Sequence, residues 1–85
     1  MALESAQQIR AARASIRMEQ EQLAAAAAVS VNTIKRIEAA EGTIPARLET
    51  VRKIQRALEA AGVEFIPGGV RLREDEAAMA EAQPS

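Results

Sequence analysis

The sequence predicts a mainly α fold: four short helices followed by a C-terminal β-hairpin. Three observations predict it. Apolar residues recur at three- and four-residue spacing through most of residues 6–61, the period of a helix with one buried face. Alanine supplies 20 of the 85 residues and Phe65 is the one aromatic, so the helices can approach closely without bulky side chains. After Gly62 the period drops to two around a Pro-Gly-Gly turn, the pattern of paired strands.

The first helix is expected over residues 6–15. Ser5 and Gln8 stand three apart as a capping box, and Ile9, Ala12 and Ile16 follow at helical spacing. A second helix opens at Gln20, with Glu21 in its first turn where the helix dipole favours an acid. The alanine run 24–28 reads as a small packing face, because alanine is the best helix former. A tight turn at Ala28-Val29 leads to Ser30, the natural N-cap of a third helix over about 31–39.

Gly42 closes that region and Thr43-Ile44-Pro45 forms a loop. The fourth helix is expected over about 47–61, with Leu48, Val51, Ile54 and Leu58 as its apolar stripe and Gly62 just past its end. Val63-Glu64-Phe65-Ile66 and Val70-Arg71-Leu72-Arg73 then alternate about Pro67-Gly68-Gly69. A two-stranded hairpin is marginal in water, so it must lean on the helices or pair with another chain. The expected organisation is a helical domain over 1–62, a hairpin over 63–73 serving dimerisation, and an acidic tail over 74–85 that is frayed helix or disordered.

Composition narrows the chemistry. The chain has no cysteine and no histidine, which removes disulfides, thiolate chemistry and a conventional zinc site. Tyrosine and tryptophan are absent too, so the usual nucleophiles and general bases are missing. No enzyme, no catalytic residue and no cofactor are expected. Glu74, Asp75 and Glu76 are not pre-organised, so no metal is assigned. Gly68-Gly69 lacks the lysine and helix of a phosphate loop. Without a membrane-length apolar run or a secretory leader, the expected compartment is the cytoplasm.

A net charge of −1 hides a division along the chain. Residues 10–56 hold nine Lys/Arg against five acids, whereas residues 74–85 hold Glu74, Asp75, Glu76 and Glu81 and no base. A basic body is compatible with a polyanionic partner.

The informative stretch runs from Gln20 to Glu38 and joins two short helices by a tight turn. On a helical wheel with Val31 at zero, Lys35 falls near ~40°, Asn32 near ~100° and Arg36 near ~140°. Thr33, Ile37 and Ile34 fall at roughly 200–300°. One face is thus polar and basic, and the other turns two isoleucines inward. Such a helix suits the DNA major groove: Asn can read adenine, Arg and Lys can reach guanine or phosphate, and a valine can touch a thymine methyl.

These positions resemble the phage-repressor-like (Cro/cI-type, XRE) helix-turn-helix family of transcriptional regulators. The matching pattern is Gln20, Leu23 and Ala24, then Val29-Ser30, Thr33-Ile34 and Ile37-Glu38. Gln8-Ile9-Arg10 with Arg13 is similar to the family's first helix, and Leu48-Glu49-Thr50-Val51 with Lys53-Ile54 to its fourth. The resemblance covers roughly residues 6–61 and implies a four-helix lambda-repressor-like DNA-binding domain with the hairpin in place of a fifth helix.

Carried over by position, the resemblance implies base contacts from Ser30, Val31, Asn32 and Arg36. It implies DNA backbone contacts from Gln20, Thr33, Lys35, Arg10, Arg17 and Arg47. It also implies a structural ion pair between Arg13 and Glu38. Arg52, Lys53 and Arg56 read as solvating charges. Three positions depart from the family: Ala28 stands where a left-handed glycine is usual, Glu19 replaces a hydroxyl cap, and Arg47 precedes the fourth helix.

The implied function is a sequence-specific regulator, a repressor of its own promoter among the options, binding double-stranded DNA as a homodimer on an inverted repeat. Val63, Phe65, Val70 and Leu72 are the expected dimer contacts. The alternative is a small protein-interaction module, anti-activator or antitoxin-like, acting on another regulator.

Overall fold

The computed structural model describes residues 2–73. Helices α1 (Ala6–Ser15), α2 (Gln20–Ala27), α3 (Val31–Glu38) and α4 (Leu48–Ala60) precede strands β1 (Val63–Ile66) and β2 (Gly69–Leu72). The fold is mainly helical, with a two-stranded antiparallel hairpin at its end. The expectation for 74–85 falls outside the described residues.

Local chemistry accounts for the helix starts. The Ser5–Gln8 capping box is present: Ser5 Oγ accepts from the Gln8 N–H at 3.3 Å and Gln8 Oε1 accepts from the Ser5 N–H at 3.0 Å. Ser30 Oγ accepts from the Thr33 N–H at 3.1 Å and so caps α3. At α2 the side chain of Gln22 reaches back, its Oε1 accepting from the Glu19 N–H at 2.7 Å. Arg47 gives α4 no side-chain cap, and Glu49 supplies the acid of its first turn.

The ends of α1 and α2 share a device. Met18 N–H donates to the Arg13 carbonyl at 2.9 Å and Arg17 N–H to that of Ala14 at 3.3 Å. Val29 N–H likewise donates to Ala24 at 3.0 Å and Ala28 N–H to Ala25 at 3.3 Å. Both are Schellman closures, which need a left-handed residue. Arg17 (φ 54°) and Ala28 (φ 58°) fill that position although neither is glycine.

Ile9, Leu23, Ile34, Ile37, Ile54, Leu58 and Val63 are the largest fully buried side chains. Burying a side chain of this size stabilises by about 1.5–3 kcal/mol. The alanine run divides by helical period: Ala24 and Ala27 are buried beside Leu23, while Ala25 and Ala26 face out. Leu48 departs from the expected α4 stripe. It is 57% exposed at the first position of the helix, and only Val51, Ile54 and Leu58 reach the core.

The hairpin pairs Val63 with Leu72, Glu64 with Arg71, Phe65 with Val70 and Ile66 with Gly69. The loop is therefore Pro67-Gly68 alone, with Gly68 at φ 76°, as a turn with proline first and glycine second requires. This register starts β2 at Gly69 and ends it at Leu72, one residue earlier than the alternation implies.

One set of expected dimer contacts is corrected here. Val63 and Phe65 are 0% and 7% exposed within the single chain. Strand alternation puts both on the face that packs against the helices, so they complete this chain's own core and are not presented to a second copy. Val70 packs on the same core, whereas Leu72 is 46% exposed. The hairpin and the helices share one hydrophobic interior.

Gln8 ties the two ends of the fold together. Its side chain, 2% exposed, donates through Nε2 to the carbonyls of Ala2 (2.8 Å), Ile66 (2.9 Å) and Gly69 (3.0 Å). Its Oε1 also accepts from the Glu4 N–H at 2.6 Å. Two amide hydrogens serve three carbonyls, so one is shared.

Candidate nucleic-acid interface

The outward face of α3 is assembled by its inward one. Ile34 and Ile37 are both 0% exposed, and that anchoring directs Asn32, Lys35 and Arg36 to solvent. Ser30 is exposed at the N-terminus and Val31 is half-buried against the core. Thr33 is half-buried, its hydroxyl 2.8 Å from Ser30 Oγ. Helix α2 packs against both α3 and α4 and buries Leu23, Ala24 and Ala27. The left-handed Ala28 turns the chain between α2 and α3.

A buried carboxylate locks this pair of helices to α1. Glu38, the last residue of α3, is 5% exposed. Arg13 grips it bidentately, Nε to Oε2 at 2.6 Å and Nη2 to Oε1 at 2.7 Å. The third guanidinium nitrogen donates to the Met18 carbonyl at 2.8 Å. Gln20 Nε2 donates to Glu38 Oε1 at 3.1 Å, and Arg10 Nη1 donates to the Glu38 backbone carbonyl. Planar, paired contacts of this kind fix orientation as well as charge.

A family model described as a helix-turn-helix domain matches residues 5–65, which include this whole arrangement and all of β1 but its last residue. The chain belongs to the helix-turn-helix domain family. No curated protein matches it. Membership supports DNA binding as its broad function, in a family that is generally non-enzymatic.

Within this helix-turn-helix domain the sequence-expected residues fall into two groups. Ser30, Asn32, Lys35 and Arg36 share the exposed side of α3. Arg13, Gln20 and Arg10 converge instead on Glu38, at the helix's far end. Arg17 is exposed in the turn after α1 and Arg47 in the loop before α4. Arg36 is less free than its exposure suggests, since its Nη1 donates to the Pro45 carbonyl at 2.7 Å.

Hydrogen bonding to Glu38 raises the Arg13 pKa above the usual arginine range, with burial opposing it and the charges of Glu38, Glu19 and Glu21 adding to it. Arg13 is therefore a permanent cation here. Among the described residues no helix is long and apolar enough to cross a membrane.

Sequence reasoning missed two anchors of the site, Arg10 on the α3 carboxyl end and Pro45 under Arg36. Neither leaves a signal at fixed spacing. A backbone carbonyl as acceptor is available at every residue and cannot be read from side-chain identity.

Proposed function

We propose that this helix-turn-helix domain is a sequence-specific transcriptional regulator of the Cro/cI type, a cytoplasmic repressor that binds an inverted-repeat operator as a homodimer. The observation that carries this reading is the exposed face of α3, where Asn32, Lys35 and Arg36 stand out from a helix anchored by Ile34 and Ile37.

In this reading α3 lies in the major groove. Asn32 and Arg36 read base edges by paired hydrogen bonds, with Ser30 and Val31 beside them. Lys35 and Thr33 meet phosphates on the rim, as do Arg17 and Arg47. Gln20 and Arg10 can join them without giving up their bonds to Glu38, because each keeps unused N–H groups. Phosphate contacts set register, and base contacts set sequence.

One copy of so small a domain covers about half an operator. Dimers of this architecture bind half-sites roughly one helical turn, ~34 Å, apart. Because Val63 and Phe65 are consumed by the core, the second copy is assigned to the exposed Leu72 at the end of the hairpin and to Leu48. These two are the large exposed hydrophobics among the described residues. Autoregulation of its own promoter belongs to the same reading.

Selection of bound duplexes from a random pool tests the reading directly. The expected result is an enriched inverted repeat whose binding weakens steeply as salt rises. A symmetric site reports two subunits and a single half-site reports one. Failure to enrich any sequence from the folded protein overturns the DNA-reading assignment in favour of a protein-interaction module.

A further inference from the structure

Helix α4 carries a second basic surface, made of residues not assigned to DNA. Arg52, Lys53 and Arg56 are exposed and, with Leu48 and Glu49, line one open groove along the helix. Positions 49, 52, 53 and 56 follow the three-and-four spacing of a single stripe. The one acid in it, Glu49, pairs with Lys53 at 3.8 Å between exposed side chains, a weak contact. The stripe stays net cationic.

The chain itself leads back to this stripe. Arg73 N–H donates to the Gly62 carbonyl at 2.9 Å, and Arg73 Nη2 donates to the Glu59 carbonyl. Glu59 lies seven residues beyond Arg52 and three beyond Arg56, about 20° and about 60° round the helix from them. The next residues are Glu74, Asp75 and Glu76, with Glu81 further on and no base among 74–85. From Glu59 the stripe extends only ~10 Å back to Arg52, and three extended residues span about that distance.

We propose that the acidic segment 74–81 docks on the Arg52–Lys53–Arg56 stripe of its own chain. Exposed charge pairs are individually weak, but the anchor at Arg73 makes the encounter intramolecular and so raises its effective concentration. If the DNA reading holds, the segment also withholds from phosphate a basic surface that contributes nothing to base selection. The docking itself does not depend on that reading.

The chain contains no cysteine, so Ala82→Cys places a single spin label beside the acidic segment of the otherwise intact protein. At low salt the backbone amide signals of residues 52–56 are expected to lose intensity. The loss should persist on dilution with unlabelled protein and disappear at ~0.5 M salt, where the screening length is only a few ångströms. Arg52→Glu with Arg56→Glu should abolish the loss while leaving a cooperative melt. An even loss over the whole domain, a loss centred on residues 32–36, or a loss that vanishes on dilution overturns the proposal. The measurement contains no DNA, so its failure leaves the proposed function standing.

Discussion

Gln20 opens α2 and Glu38 closes α3, and a 3.1 Å hydrogen bond joins their side chains. The same carboxylate takes both arms of Arg13 from α1. Three helices thus meet at one buried acid, and the angle between α2 and α3 is held by charge as well as by packing. Gln20→Ala should lower stability by about 1.5–3 kcal/mol, the net worth of a hydrogen bond to a charged group, as measured by urea unfolding.

Removing the cation has a larger effect. Arg13→Ala leaves the Glu38 carboxylate, 4% exposed, without its counter-charge, and should cost about 3–5 kcal/mol. The pH dependence follows from the raised Arg13 pKa. A cation whose folded pKa lies above its unfolded one gives stability that is complete below the unfolded value and is lost only as pH climbs through the folded one. Arginine keeps its charge through the alkaline range. The difference in urea midpoint between the native protein and Arg13→Ala should therefore stay constant from pH 7 to about 11; a decline in that interval would contradict the assignment.

The left-handed residues make a prediction with the opposite sign. An L-residue in this conformation carries roughly 1–2 kcal/mol of strain, partly offset by the entropy that glycine loses on folding. Ala28→Gly should raise stability by up to about 1 kcal/mol, or ~4–8 °C in Tm for a domain of this size. Ala28→Val should lower it. Arg17→Gly should also stabilise while weakening DNA binding evenly across sequences and reducing the salt slope by ~1. Calorimetry and salt-dependent gel shifts separate its two effects.

Gln8 predicts a local failure. Gln8→Leu preserves bulk but removes the side-chain partner of the carbonyls of Ala2, Ile66 and Gly69 and of the N–H groups of Glu4 and Ser5. Each buried group left unpaired costs ~1–3 kcal/mol, so a total above ~2 kcal/mol is expected. Hydrogen exchange should quicken first in residues 63–72, ahead of α2 and α3. Equal quickening everywhere would mean that the hairpin does not open separately.

Arg36→Ala tests recognition without disturbing the core. Arg36 is exposed, so the melting curve should barely move. Binding to the selected operator should weaken by about 1–3 kcal/mol, with preference relaxed at a single position per half-site. Uniform weakening across all sequences would assign Arg36 to phosphate instead.

The helices were legible because their signals are local. Ser5 with Gln8, Ser30 with Thr33, and Gln20 at the head of the alanine run mark starts, and the buried trio Val51, Ile54 and Leu58 marks a face at helical spacing. The left-handed geometry of Ala28 is what the resemblance to the repressor-like family implies, since glycine is usual at that position. The similar geometry of Arg17 could not be anticipated, since an arginine advertises no turn. Leu48 was misplaced because a helix's first residue sits at the rim of the stripe its period assigns to it. Val63 and Phe65 looked available because strand alternation tells which residues share a face but not what covers that face. For the candidate site, the outward position of Asn32, Lys35 and Arg36 follows from the wheel. The hold of Pro45 on Arg36, and of Arg10 on the end of α3, joins residues 9 and 28 apart through carbonyl acceptors, which no spacing rule encodes.

The Gln8 bridge to Gly69 spans 61 residues of sequence and therefore sets an order of events during synthesis. The first helix leaves the ribosome early, but its Gln8 amide has only local partners, in Ala2, Glu4 and Ser5, until the last strand has followed it. Closure of so long a loop raises contact order and slows the final step relative to a purely local helical bundle. A nascent chain halted before residue 66 would hold all four helical segments and still lack both distant acceptors of that amide. For this domain, maturation is completed at the carboxyl end.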